Sequence, residues 1–175
     1  MVDAIEIRRV RESEYAAAGE ATARAYREFV TPSASGFEAY LARIADIGAR
    51  ADRATVLLAL VDGVIAGSAT LELDSRVHPS TADPLAADEA HLRMLGVSPD
   101  LRGRGVARRL VTACIALARE RGKRRLTLET SPLMVAAQRL YTSMGFTSTG
   151  ERHTPDGTVL LSYTLDIESA APASR

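Results

Sequence analysis

The segment Arg102-Gly103-Arg104-Gly105-Val106-Ala107 joins two glycines and two arginines at the change from an apolar run to an amphipathic one, a combination suited to holding an anion. Glycine lets a phosphate approach the backbone with no Cβ in the way, and the exposed amides and aligned dipoles of a helix start attract negative charge. Arg102 and Arg104 add cationic groups to the turn, and Arg108 and Arg109 on the first exposed helical turn are placed to reach a further phosphate. Two familiar phosphate loops do not fit. A dinucleotide fingerprint needs glycine or alanine where Arg108 stands, and a P-loop needs a Gly-Lys-Ser/Thr ending that is absent. On these residues alone, a plain tight turn with solvated arginines accounts for the segment equally well.

Such a turn works between a strand and a helix, and the flanking patterns supply both. Leu92 to Val97 reads as a strand ended by Pro99-Asp100. Val106, Leu110, Ala113, Cys114 and Leu117 then share one helix face opposite Arg108, Arg109, Thr112, Arg119 and Glu120, and Gly122 ends that helix. Arg125 to Thr130 alternates as a second strand, so the three elements form a right-handed crossover with the glycine turn at the carboxyl end of its first strand.

Upstream, Ile5 to Val10 alternates as a strand. A helix follows from Ser13-Glu14, carrying Tyr15, Ala18, Thr22, Ala25, Tyr26 and Phe29, and Thr31-Pro32-Ser33 stops it. Ser35 is placed to cap a second helix with the stripe Phe37, Tyr40, Leu41, Ile44 and Ile47. Thr55 to Val61 and Val64 to Leu73 form a hairpin about Asp62-Gly63, and Asp74 to Asp88, with Pro79 and Pro84, reads as a surface loop placed to face substrate. Downstream, Ser131-Pro132 suits the cap and first turn of a helix with Ala136, Ala137, Leu140, Tyr141 and Met144, closed by Gly145. Phe146 to Arg152 and Val159 to Asp166 make a last hairpin around Pro155-Asp156-Gly157. The order β-α-α-β-β-β-α-β-α-β-β predicts a mixed α/β fold: a central sheet of about seven strands flanked by about four helices.

The 175 residues suit one domain, expected over residues 1–168, with 169–175 as a disordered tail. Lys+Arg and Asp+Glu both number 22, so no global excess of charge points to nucleic acid or an anionic membrane as partner. No apolar run approaches the length that crosses a bilayer. The single cysteine, Cys114, cannot close an internal disulfide, which points to a reducing, cytoplasmic setting, and on an apolar helix stripe it reads as a small core residue. His78 and His153 sit in loops without a second ligand at metal spacing, so no metal is expected. Lys123-Arg124-Arg125 reads as a complement to the carbonyl end of the preceding helix.

The run from Met94 to Ala107, MLGVSPDLRGRGVA, resembles the acetyl-CoA motif of the GNAT superfamily of N-acetyltransferases, R/Q-x-x-G-x-G/A, with Arg102, Gly105 and Ala107 in the motif positions. The run from Ala137 to Phe146, AQRLYTSMGF, is similar to the family's second signature, A-x-x-L-Y-x-x-x-G-F. The likeness is strongest from Glu89 to Phe146, and the element order agrees from Ala4 to Asp166. It implies the GNAT fold and transfer of the acetyl group of acetyl-CoA, bound first, to a primary amine by direct attack in a ternary complex. By the same resemblance, the backbone from Arg102 through Gly103, Arg104, Gly105, Val106 and Ala107, with Arg108 beside it, would hold the pyrophosphate. The strand edge at Leu95, Gly96 and Val97 would pair with the pantetheine arm and acetyl group, between fourth and fifth strands that splay to admit it. Many relatives carry Asn near the start of the last helix, where this chain has Ser131-Pro132.

Tyr141 lies where the family often places the tyrosine that protonates the departing thiolate, and its ordinary pKa of ~10 keeps a phenol protonated at neutral pH. The plainer reading is a core tyrosine packing beside Leu140. Amine attack also needs a base. Glu89, thirteen residues before Arg102, resembles in its offset the catalytic glutamate of the histone-acetylating branch; His91, Asp88 and Glu72 are alternatives, and a solvated glutamate at a strand entrance is the plainer reading. A rival class is an acetyl-CoA-binding sensor or regulatory module without turnover. Whether the acceptor is a small amine, an antibiotic, a protein lysine or a protein N-terminus is left open, as is oligomeric state, a homodimer included.

Overall fold

The alternation of apolar and polar residues condenses into one twisted sheet with helices on both faces, seen in a computed structural model that describes residues 4–29, 36–74, 76, 84–154 and 157–167. The strands are β1 (Ile5–Arg9), β2 (Thr55–Val61), β3 (Val64–Glu72), β4 (Glu89–Val97), β5 (Arg125–Thr130), β6 (Thr147–His153) and β7 (Val159–Asp166), in the order β1-β2-β3-β4-β5-β7-β6. Every neighbouring pair is antiparallel except β4 with β5, which run parallel as the crossover requires. The helices are α1 (Tyr15–Arg27), α2 (Phe37–Ala45), α3 (Ile47–Ala51), α4 (Val106–Glu120) and α5 (Val135–Ser143).

Side-chain alternation divides the core between the two faces. Leu57, Ala59, Ala66, Leu71, Ala90, Leu92, Leu126 and Leu128 share a core with Leu110, Val111 and Cys114 of α4 and with Tyr141 of α5. On the other face Val56, Leu58 and Leu60 pack with Ala18 of α1 and Ile47 of α3, while Leu41 and Ile44 of α2 pack with Ala23 and Tyr26 of α1. That second face also carries polar side chains within the sheet: Ser68 hydrogen-bonds Thr22 at 2.7 Å, and Thr70 accepts from Arg50 at 2.7 Å.

Three boundaries and one side-chain role depart from the sequence expectation for a local reason. The single second helix is two, because Asp46 leaves helical geometry (φ −75°, ψ 80°) and its carboxylate caps Ala49 at 3.0 Å; Ile47 therefore opens α3 instead of closing α2, and the helices number five among the described residues. β4 begins at Glu89, not Leu92, because Glu89 to Leu92 pair with Arg125 to Leu128. The last helix starts at Val135; Ser131 instead closes a turn by accepting from the Leu133 amide at 3.2 Å. Lys123 does not cover the end of α4 but donates to the Ala87 carbonyl at 3.0 Å, bracing the entry to β4. The expectations for Thr31-Pro32-Ser33, Ser35, His78, Pro79, Pro155-Asp156 and residues 169–175 lie outside the described residues.

Candidate active site

Past β4 the chain makes a 3-10 turn, Pro99–Leu101, and enters the glycine segment. Gly103 and Gly105 have φ of 76° and 81°, a left-handed conformation that side-chain-bearing residues rarely adopt. A Cβ added at either would meet nothing within 4 Å, so the space beside this backbone is open to a ligand. Gly105 is the residue before α4, and no side chain caps the helix. The first amide to reach back is that of Arg109, to the Gly105 carbonyl at 3.1 Å, which leaves the amides of Val106, Ala107 and Arg108 facing out of the helix start. A row of donors on an open concave turn fits a pyrophosphate.

The arginines divide their work differently from the sequence expectation. Arg102 does not lend its charge to the turn: its guanidinium donates to the carbonyls of Val97 and Ala25, both at 3.2 Å, pairs with Glu28 and lies over the Phe29 ring at 5.9 Å. It pins the turn to the end of α1. Arg108 donates to Ser143 Oγ at 2.7 Å, tying the start of α4 to the end of α5. Replacing Arg102 by alanine should therefore loosen the turn, lowering the melting temperature by a few degrees and acetyl-CoA affinity by about fivefold, since these are charge-assisted but partly solvated bonds. An unchanged melt in scanning calorimetry would disprove the tether.

Beside the turn the sheet opens. β4 pairs with β5 only from Glu89 to Leu92, so Arg93 to Val97 have no β5 partner and the two strands part around Glu129 and Thr130. Just where they part, Met94 takes φ of 50° and the β3 register slips between Ser68 and Thr70, so that Met94 and Leu95 together face Ala69. A bulge of this kind turns backbone groups out of the ladder. Leu95, Gly96 and Val97 follow it along the open edge. Gly96 has a packing reason of its own: a Cβ there would stand 3.2 to 3.3 Å from Ala25, Thr22 and Tyr26, so its absence lets α1 lie close against β4.

Tyr141 lies on the α4 side, 5% exposed, with the Phe146 and Tyr163 rings at 5.6 and 6.2 Å. Burial raises the phenol's pKa above its ordinary value, with a smaller push from Cys114. On the other face Tyr26 is raised likewise, by burial first and then by Tyr40 and Tyr141. Cys114 is wholly buried and its thiol is pushed up to about 12, which leaves no thiolate for chemistry.

Three of the four candidate bases, Glu89, His91 and Glu72, share the α1 face. Thr127 of β5 donates to Glu89 Oε1 at 2.7 Å, and its oxygen lies 2.8 Å from His91 Nδ1. Thr127 has one proton, and a carboxylate takes it; His91 must then carry its own proton on Nδ1, leaving Nε2 as an open lone pair. Burial first, and then Arg76, Arg93 and Arg152, hold the His91 pKa down to about 3, so the ring is neutral at working pH. Glu89 sits at the paired end of β4, held also by Arg76 at 3.7 Å and Arg125 at 3.8 Å. Glu72 is wholly buried with Arg93 Nη1 at 3.2 Å and Arg76 Nη1 at 3.3 Å, and Asp88 is turned outward toward Arg125 at 3.7 Å. Sequence reasoning missed Thr127, Arg93 and Glu129, the last held by a two-pronged bond to Arg152 at 2.6 and 2.7 Å. The signal was there: Thr127 and Glu129 alternate with Leu126 and Leu128, which marks a polar face in a strand deep in the sheet.

Comparison with known proteins agrees with this architecture. Rat N-acetyltransferase 8F1 is 39% identical over 74 residues, covering 42% of this chain and 34% of that protein. Mouse probable N-acetyltransferase family 8 member 5 is 38% identical over 73 residues, 42% of this chain and 32% of that one, so the chain spans about a third of the length of these relatives. Among solved structures, yncA, a putative acetyltransferase from Salmonella typhimurium with its cofactor acetyl-CoA, superposes with a TM-score of 0.64 at 22% identity over 98% of this chain and 99% of that one. The ribosomal-protein-S18-alanine N-acetyltransferase from Escherichia coli gives 0.68 at 22% identity over the same shares. Identities this low speak for the fold. The acetyltransferase (GNAT) family model matches residues 19–146, from within α1 to the residue that follows the glycine closing α5, and so spans both walls of the opened sheet; this chain belongs to that family.

Proposed function

We propose that this protein transfers the acetyl group of acetyl-CoA to a primary amine by direct attack. The observation that carries the reading is the parting of β4 from β5 beyond Leu92, with the open glycine turn at its end and Tyr141 in the core on the α4 side of the sheet. Acetyl-CoA supplies an activated acyl group; its pyrophosphate would rest on the amides from Gly103 to Arg108, and its pantetheine arm would run along Leu95, Gly96 and Val97. The bulge at Met94 presents β4 backbone to the acyl carbonyl. Tyr141, kept protonated by burial, donates to the thiolate sulfur as it leaves.

On the acceptor side Glu89 works through Thr127 and His91. Thr127 fixes the His91 ring, and the open Nε2 receives a proton from the amine, directly or through one water. A weakly basic ring is enough at that moment, because the nitrogen becomes far more acidic once its lone pair enters the new bond. Residues 1–168 form one acetyltransferase domain in this reading. The buried free thiol of Cys114 supports a cytoplasmic location, and no helix among the described residues is long and apolar enough to cross a membrane.

The direct test is release of free thiol from acetyl-CoA across a panel of amines, amino acids, polyamines, aminoglycosides and lysine peptides. No release with any of them would leave the protein a binding module. The proton path has its own test. Thr127→Val should lower kcat about tenfold, and Thr127→Ser should restore it. Parental kcat in a folded Thr127→Val, or a deficit that Thr127→Ser does not repair, would remove Thr127 and Glu89 from the path.

A further inference from the structure

On the α1 side of the opening two guanidiniums, those of Arg50 and Arg93, lie close enough to repel each other. Arg50 is 1% exposed, yet its guanidinium bonds only uncharged oxygens: Thr70 Oγ1 at 2.7 Å, the Ile44 carbonyl at 2.5 Å and the Asp46 carbonyl at 3.3 Å. Arg93 pairs with Thr70 across the β3–β4 ladder, which puts a second guanidinium next to the first. Arg93 gives Nη1 to Glu72, while its Nε is buried with no hydrogen-bond partner. The same Glu72 carboxylate also takes Arg76. His91, beside Arg93 on this face, is held neutral by burial and by the arginines around it.

A buried guanidinium held only by neutral oxygens, as Arg50 is, and a buried Nε without a partner on Arg93, whose side chain is otherwise 25% exposed, are costly to keep, and an anion placed beside them relieves that cost. An ammonium would be repelled here, whereas attack requires a neutral amine in any case. Arg93 directly precedes the Met94 bulge where the acyl group would be presented, so its guanidinium and the reacting carbon lie within about one side chain's reach. Both groups of the acceptor then belong to one small molecule. We infer, resting on the acetyl-transfer reading above, that the acceptor is an amine bearing a carboxylate a few bonds from its nitrogen, of the amino-acid class, and that Arg93 binds that carboxylate.

The test compares amino acids with their methyl esters, measured as thiol release by the full chain at saturating acetyl-CoA. Esterification removes the carboxylate charge and also lowers the basicity of the amine, so a site that merely wants a neutral amine should prefer the ester. Carboxylate recognition predicts the opposite. The free acids should be favoured in kcat/KM by about 10- to 100-fold, the worth of a charge-assisted pair. Arg93→Gln should bring that ratio to about one, with Arg93→Lys between. A measurement that needs no variant runs alongside: N-acetyl amino acids should raise the parent's melting temperature more than their methyl esters do. Preference for the esters, or a ratio indifferent to Arg93→Gln in a folded variant, would overturn the inference while acetyl transfer stands. Release with no amine at all would overturn the transfer reading and the inference with it.

Discussion

Gly105→Glu should lose acetyl-CoA binding in calorimetry by at least about 100-fold while the protein stays folded. Two effects act at this one position. The first is conformational: φ of 81° strains any residue with a Cβ, a penalty on the order of 1–2 kcal/mol that falls on the turn and the start of α4. The second falls on the ligand alone, because the added carboxylate enters the space where a phosphate would meet the amides from Gly103 to Arg108. Like charges in contact cost several kcal/mol, which is where the 100-fold comes from. Gly105→Ala separates the two. It carries the strain without the charge and should lower the melting temperature nearly as much, yet keep most of the affinity. Since a Cβ at Gly105 meets nothing within 4 Å, neither variant has a clash with which to unfold the domain. Parental affinity in Gly105→Glu would mean that the phosphates rest elsewhere.

Much of this site was legible because its parts are written in backbone demands. Gly103 and Gly105 announce positive φ, Pro99-Asp100 ends a strand, and the change in period from Leu92 to Leu110 places the turn between strand and helix. Those constraints are local, so one chain suffices to read them. The partition of the arginines was not legible. Arg102, Arg104 and Arg108 look alike in sequence, and only packing against Ala25, Glu28 and Ser143 shows that two of them are struts. The proton path failed to appear for a similar reason. Glu89, His91 and Thr127 are drawn together by the parallel register of β4 with β5, which joins residues 36 and 38 positions apart. The break at Asp46 was missed because the apolar stripe continues through Ile47 even though the backbone does not. Periodicity reports which residues face the core, and a capped break can preserve that facing.

Tyr141→Phe removes one oxygen and leaves the ring to pack against Phe146 and Tyr163, so it asks a single question of the site. If the phenol is the acid, the sulfur must leave as a bare thiolate or take its proton from water, and kcat should fall about 10²- to 10⁴-fold. Acetyl-CoA affinity should hold, because the phosphate turn and the β4 edge are built from other residues. The pH dependence carries a sign. Burial raises the Tyr141 pKa above its ordinary ~10, so the donor keeps its proton throughout the neutral and mildly alkaline range. The parent's kcat should therefore show no alkaline decline below about pH 10 from loss of this proton. The acid side should follow deprotonation of the acceptor amine, since His91, with a pKa near 3, stays neutral there. A tyrosine present only for packing predicts something else: a stability loss of about 1 kcal/mol if the phenol oxygen makes a buried hydrogen bond, and turnover close to the parent's. Steady-state kinetics with an accepted amine, a pre-steady-state check that chemistry limits the parent, and a thermal melt of the same preparation decide between them. Near-parental kcat would reduce Tyr141 to a core residue and leave the leaving group to be protonated by solvent entering the gap.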